Sequence, residues 1–396
     1  MDGFYFYFME LQMKLILRTT IFAIGTLVVS GASAQITQSG PTVAFAPTTP
    51  ASVSGIDLAN AKAMPMPMAA RAPSLTGAQA APTFPGQSGF SPGGAGNGKL
   101  ASIQVAPAKT EGVLKALAQP DGVAPQEYGV GGVPYTTARV NAYNQPTATF
   151  QPYAATGKLY FNIGSGTYVC SASLIKPGIL VTAAHCVSNY GQSQFYKNWV
   201  WYPGYNNGQA PYGYYTGKNV RVMTAYYNGS DGCYQYGVIC PDDVALIELY
   251  TPNGLPGSAV GWYGYGWNGW GLNGSNQTLI NQLGYPQALD SGVFMQRNDS
   301  QGTVNATYSN NTVIGSLMTG GSSGGPWLNN FGRAPLLASG TGFGNYANRN
   351  IVVGVTSWGY TDTSSSGMKL QGASPFTSNN IVALVNAQCA VSPGKC

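Results

Sequence analysis

The sequence predicts an all-β fold, built as antiparallel barrels or a sandwich and followed by a single C-terminal α-helix. Three observations lead there. From about Val140 onward, apolar runs of strand length (residues 159–163, 178–182, 244–249 and 351–355) are separated by Gly, Asn and Pro. Only residues 379–388 carry helical spacing, with Ile381, Leu384 and Val385 on one face. Hydrophobic residues make up 44% of the 396 while charged ones make up only 8%, which is ample for a packed core and far below the charge content of an ordinary cytosolic domain. Many short strands with one terminal helix exclude bundles and doubly wound folds.

Taken from the N-terminus, the chain shows three textures. Lys14 and Arg18, the apolar residues 21–29 and then Ala32-Ser33-Ala34 have the charged, apolar and small-residue order of a cleavable signal peptide, read here over residues 1–34 with Met13 as an alternative start. No later stretch is apolar for long enough to span a membrane, so no membrane partner is expected after its removal and the product is expected to be secreted. Residues 35–139 are rich in Ala, Pro, Gly, Ser and Thr and lack cysteine. Such composition buries little apolar surface, and it reads as a low-complexity, largely disordered prosegment with one short helix near residues 112–118. A permanent linker or cell-wall tether is the competing reading. Residues 140–396 form the folded domain, with processing expected around Arg139-Val140.

Charge and cysteines narrow the classes further. The formal net charge of +5 is spread out with no Lys/Arg stripe, so nucleic acid is not an expected partner. The six cysteines, Cys170, Cys186, Cys233, Cys240, Cys389 and Cys396, form three sequence-adjacent pairs, and disulfides suit an exported chain, although spacing leaves the connectivity open. Metal is set aside, since there is no C-x-x-C element and His185 is the only histidine.

Hydrolysis by a side-chain nucleophile at neutral pH needs the nucleophile, a base titrating near neutrality, a group to orient that base, and donors for the developing oxyanion. Each has a candidate. The apolar strand Leu180-Val181-Thr182 runs through Ala183-Ala184 into His185-Cys186, which places the sole histidine at a strand end beside a cysteine. In Asp242-Asp243-Val244-Ala245-Leu246, a carboxylate opens a core strand, where it is costly unless paired, and an imidazole is its natural partner. Asp243 directly precedes the apolar run and is the candidate orienting group; Asp242 is the competing orienting residue, and a turn-forming Asp pair that only caps the strand is the alternative reading. In Gly320-Gly321-Ser322-Ser323-Gly324-Gly325-Pro326, the glycines permit a tight turn that exposes Ser323 and aims the N–H groups of Gly321 and Ser323 inward.

The order His, Asp, Ser with T-A-A-H-C, D-V-A-L-I and G-S-S-G-G-P resembles the chymotrypsin-like serine peptidase family from about Val140 to the C-terminus. Within it the sequence is most similar to secreted microbial trypsin-like and glutamyl-endopeptidase-like enzymes, through residues 319–327, Tyr202-Pro203-Gly204-Tyr205-Asn206-Asn207-Gly208 and Gly284-Tyr285-Pro286. The resemblance implies a double barrel of two antiparallel six-stranded β-barrels with His185, Asp243 and Ser323 in the cleft between them. It also implies a Cys170–Cys186 disulfide, with Cys233–Cys240 and Cys389–Cys396 as the remaining adjacent pairs. Ser357-Trp358-Gly359 matches the segment on which extended substrate adds as a strand.

Two departures bear on specificity. Trypsin-like enzymes carry Asp immediately before the nucleophile to pair with a freed N-terminal ammonium, and Ser322 stands there. An extended N-terminus is therefore expected to leave activity intact. Six positions before Ser323, where basic specificity requires Asp, the chain has Leu317, and the pocket histidine of glutamyl endopeptidases is missing too. Leu317, Thr319 and Thr356 are left as candidate pocket residues for a small, apolar or polar side chain. The resulting expectation is a secreted, monomeric serine endopeptidase acting on polypeptides without metal or organic cofactor. A protease scaffold without turnover is the alternative, as is an adhesin using the aromatic stretches 199–215 and 262–270.

Overall fold

The computed structural model describes residues 34–67, 84–99, 103–104, 134–141, 145–232, 240–304, 312–333, 348–359 and 370–396. The expected signal peptide up to Ser33, the expected helix near 112–118 and Cys233 lie outside these residues.

Among the described residues before 140 are six strands, β1 (Gln35–Ser39), β2 (Thr42–Ala46), β3 (Lys62–Ala63), β4 (Gly89–Ser91), β5 (Ile103–Gln104) and β6 (Tyr135–Arg139). The first barrel follows: β7 (Thr156–Ile163), β8 (Gly166–Lys176), β9 (Ile179–Thr182), the hairpin of β10 (Ser188–Asn189) and β11 (Gln194–Phe195), β12 (Lys197–Pro203), β13 (Gln209–Ala210), β14 (Tyr215–Met223) and β15 (Ala245–Tyr250). After β16 (Gly264–Trp267), the second barrel is made by β17 (Gln277–Gly284), β18 (Gln296–Val304), β19 (Thr312–Gly315), β20 (Pro326–Asn329), β21 (Ile351–Gly359) and β22 (Leu370–Pro375).

Both sheets close. In the first, the antiparallel order β14-β12-β7-β8-β9-β15 returns from β15 to β14, and in the second β20-β17-β18-β19-β22-β21 returns from β21 to β20. These are the two six-stranded antiparallel barrels expected, and closure removes the free edges that open sheets expose. Leu159, Phe161, Leu174, Leu180, Val220 and Leu246 are fully buried in the main core, each contributing about 1.5–3 kcal/mol by leaving water. Ile280, Ile314, Trp327 and Ala373 form the interior of the second barrel. The C-terminal helix Ala383–Val391 buries Leu384 and Val385, and Ile381 in the turn before it is buried as well. Thr377 and Asn380 cap that turn reciprocally, and a Cys389–Cys396 disulfide clips its end.

The described residues before 140 depart from the expectation of disorder. β2 extends the first barrel by pairing with β14, burying Thr42, Val43 and Ala44, and Phe45 stacks on Phe195 at 5.3 Å. β4 pairs with β16, and β6 pairs with β18 over five residues. Glycines that suggest flexibility by composition are instead required by close contact, since a Cβ at Gly93 would stand 2.4 Å from the Trp262 carbonyl oxygen and one at Gly96 2.3 Å from that of Ala259. Edge addition draws on backbone donors already in place and needs few apolar side chains, which is why composition does not reveal it. Arg139 lies inside β6, paired with Asp290 through two hydrogen bonds of 2.7 and 2.6 Å, and Val140 is buried, so the Arg139–Val140 bond is part of the folded body.

Candidate active site

β9 delivers the histidine. Its residues are buried throughout and end in the turn Ala184–Cys186, where the Cys170–Cys186 disulfide ties the turn to β8. β15 delivers the acid. It pairs antiparallel with β9, Ala245 opposite Thr182, and continuing that register puts Asp243 opposite Ala184, beside His185.

The side chains complete this alignment. One Asp243 oxygen accepts the His185 backbone N–H at 2.8 Å, and the other lies 2.8 Å from His185 Nδ1. Asp243 also accepts a hydrogen bond from the Ser357 hydroxyl and is 1% exposed, so a buried carboxylate has three partners to offset its lost hydration. The bond to Nδ1 fixes the imidazole as the tautomer with its proton on Nδ1 and leaves Nε2 as the basic atom. Asp242 has another setting. Burial and the neighbouring Asp231 carboxylate push its carboxyl up to about 7, and Asn380 is its side-chain partner.

Ser323 sits in the loop between β19 and β20. Ser171 on β8 holds that loop at both ends: its hydroxyl donates to Gly321 C=O at 2.9 Å, and its N–H donates to Ser323 C=O at 2.8 Å. Gly324, at φ +77°, packs against β9, where a Cβ would lie 2.0 Å from Thr182 Oγ1. That contact brings the loop onto the strand leading to His185. Ser323 Oγ and His185 Nε2 are both buried without a hydrogen-bond partner. Gln287 N–H donates to Gly320 C=O at 2.9 Å, and because the peptide is trans, the Gly321 N–H points the opposite way. Gly321 itself has φ +94°, open to glycine at little cost.

The family model described as Trypsin matches residues 144–381, more than half of the sequence. The chain belongs to the trypsin family. Among curated proteins, this trypsin-family chain is 37% identical over 123 residues to an extracellular metalloprotease of Bacillus subtilis, a match covering 30% of the chain and 35% of that protein. It is 26% identical over 212 residues to a glutamyl endopeptidase of Bacillus licheniformis, covering 54% of the chain and 59% of that protein. The matches thus span about a third and about three-fifths of these relatives' lengths. Similar solved structures include a thermostable serine protease from an extremophilic microorganism (24% identity, TM-score 0.46, 59% of this chain and 96% of that one). A Glu endopeptidase bound to MPD is another (21% identity, TM-score 0.44, 64% and 96%).

A metal centre does not fit these residues. The candidate donors Cys170, His185 and Cys186 lie within 4.8 Å of one another, but the two sulfurs are bonded to each other and Nδ1 is engaged by Asp243.

At the departures from the family pattern, Ser322 turns its hydroxyl onto Thr319 C=O at 2.7 Å, bracing the loop from within. Leu317 is half-buried, and its N–H donates to Thr137 at 3.3 Å. The threonine hydroxyls are already engaged: Thr319 accepts from Ala288 N–H at 3.0 Å, and Thr356, fully buried, accepts from Gln282 and Trp327 at 2.8 and 2.9 Å. Trp358 is fully buried against Gly372, while the Gly359 N–H faces outward from β21. Sequence reading missed Ser171, a serine in a strand with no motif around it, and the hydroxyl role of Ser357. It also missed residues 63–67, which lie against Gly320, Gly321 and Gly359. Of the aromatic stretches, Trp199, Trp201, Tyr202, Tyr205, Tyr263 and Trp270 are buried, so they fill the core.

Proposed function

We propose that this chain is a secreted serine endopeptidase, made with a prosegment and working through Ser323, His185 and Asp243. The observation that carries the reading is the Asp243–His185 pair, which leaves Nε2 buried and unpartnered, together with a buried, unpartnered Ser323 hydroxyl in the loop packed against the strand that leads to His185.

His185 Nε2 takes the proton from Ser323 Oγ as that oxygen attacks the scissile carbonyl, and Asp243 stabilises the imidazolium. The N–H groups of Gly321 and Ser323 hold the tetrahedral oxyanion. Collapse of this intermediate breaks the C–N bond, with the leaving amine taking the Nε2 proton. Water, deprotonated by His185, then hydrolyses the acyl-Ser323 ester and restores the hydroxyl. Substrate lies along Ser357-Trp358-Gly359, with Leu317 and Thr319 near its side chain. Residues 1–34 direct export. Among the described residues no helix is long and apolar enough to cross a membrane.

The test is fluorophosphonate labelling of processed protein, with casein hydrolysis in parallel, for wild type and Ser323→Ala. Loss of both in the variant, by up to roughly 10⁶ in rate, supports the reading. Processed wild type that neither labels nor cleaves leaves a protease scaffold without turnover.

A further inference from the structure

The Ser323 loop and the strands that flank it are not open to solvent. Residues 61–67, Ala-Lys-Ala-Met-Pro-Met-Pro, run across them. β3 enters parallel to β8, Lys62 beside Tyr168 and Ala63 beside Val169, next to the cysteine that bonds Cys186. Met64 N–H donates to Val169 C=O at 2.8 Å. The segment then passes over the oxyanion loop: a Cβ at Gly320 would stand 2.8 Å from the Met64 carbonyl oxygen, and one at Gly321 3.7 Å from the Ala63 methyl. At the far side, Pro67 C=O accepts the Gly359 N–H at 3.0 Å, and Met66, 4% exposed, places its sulfur where a Cβ on Gly359 would lie only 2.7 Å away. Within five residues the segment reaches from the histidine-bearing barrel, over the nucleophile loop, to β21.

We propose that residues 63–67 are an intramolecular occupant of the substrate cleft, so that the chain inhibits itself with its own Met-Pro-Met-Pro strand until that strand is displaced. The proposal rests on the peptidase reading and adds to it what blocks the site and which atoms it takes. The Gly359 N–H is the outward donor to which an extended polypeptide would add, and Pro67 already holds it.

The sequence of the segment suits the task. Each proline fixes its own φ and keeps the preceding methionine extended, so the strand enters the cleft with little conformational entropy left to lose. Proline also has no N–H, so positions 65 and 67 leave no donor stranded where pairing is discontinuous. Upstream the strand is tethered by buried Ile56, by Asp57 N–H on Thr167 at 3.0 Å and by the β2–β14 pairing, which holds it at high effective concentration. Seating Met66 at Gly359 assigns an unbranched apolar side chain to that part of the cleft.

The test uses the unprocessed full chain, its intact mass confirmed, as wild type, Met66→Leu, Met66→Ala, Met66→Asp and Met64→Pro, the last removing the donor to Val169. The rate of fluorophosphonate labelling at Ser323 is measured for each, with thermal melting as the check on folding. Expected are slow labelling of wild type and Met66→Leu, faster labelling of Met66→Ala, and labelling about tenfold faster or more in Met66→Asp and Met64→Pro, as release of a tethered occupant requires. Acetyl-Ala-Lys-Ala-Met-Pro-Met-Pro-amide added to Met66→Asp should slow it again. Equal labelling across the folded series overturns the proposal and leaves the peptidase reading standing. Absence of labelling in every form, including protein processed by limited proteolysis, removes both.

Discussion

The two barrels bury polar groups of different kinds. Among the described residues, the charged side chains that are fully enclosed, Lys158, Arg221, Asp243 and Glu248, all belong to the first barrel or its edge. The second barrel encloses Gln282, Asn298, Ser316, Thr356 and Gln371, none of them charged. Glu248 accepts from Lys218 at 2.9 Å, from Asn219 at 2.5 Å, from Gln388 at 2.8 Å and from Ser392 at 2.7 Å, and Arg221 reaches Gln388 and Thr42. This network holds the C-terminal helix and the β2 strand to the barrel that carries His185 and Asp243. In the second barrel, Ser316 donates to Gln282, which donates to Gln371 and Thr356, and Gln371 donates to Met318 C=O just before the nucleophile loop. One barrel thus holds the His185 ring with charge, and the other shapes the Ser323 loop with neutral amides. Dependence of stability on pH should reside in the first.

The largest effect should come from Asp243. On the proposed mechanism, Asp243→Asn removes the acceptor that sets the His185 tautomer, and kcat should fall by about 10⁴ while the peptide is still bound. Steady-state kinetics on processed protein checks this, and a loss smaller than about tenfold would leave the first barrel's charge without a catalytic role. Next is the charge that serves structure. Glu248→Ala leaves donors from Asn219 and Gln388 unpaired and the buried Arg221 cation without its neighbouring carboxylate, and should destabilise by about 3–5 kcal/mol in a denaturant titration. Gln282→Leu is its counterpart in the second barrel. It strips partners from Ser316 and Gln371 and should cost about 1–3 kcal/mol, with no dependence on pH between roughly 4 and 8 because no group in that network titrates there.

The same contrast explains what could be read from the sequence. The pairing of His185 with Asp243 is legible because each stands at the boundary of a strongly apolar strand, and the Ser323 turn through its glycines, local signals that need no knowledge of the partner. The all-β class was legible through strand-length runs, which left barrels and a sandwich open, the two six-stranded barrels followed only from the family resemblance, and residues 381–385 were legible through their spacing. Ser171, Gln282 and Gln371 were not, since a neutral polar residue within a strand has the same appearance whether it faces water or braces a loop. Thr356, a candidate pocket residue from the sequence, instead turns its hydroxyl to the barrel interior, where Gln282 and Trp327 donate to it. Residues 34–67 and 84–99 were misjudged for a third reason: they are held by backbone pairing and glycine contacts, and composition reports only on side chains.

The smallest effect sits beside the largest. Asp242 adjoins Asp243, yet burial and Asp231 push its carboxyl up to about 7 from an ordinary 3.8. A carboxyl with a raised folded-state value keeps its proton in the native chain while the unfolded chain gives it up. Native protein therefore binds more protons in that interval, and stability falls as pH rises from about 4 to about 7, then levels off. Asn at this position keeps a similar shape and cannot ionise. Asp242→Asn should raise the melting temperature by roughly 2–4 °C at pH 7.5, as a change of about 1 kcal/mol does in a domain of this size, and leave it unchanged below pH 4. Melting curves across that range test the assignment of pH sensitivity to the first barrel. If the variant and wild type run parallel throughout, the carboxyl is ionised in the folded chain and the sensitivity must arise elsewhere in the molecule.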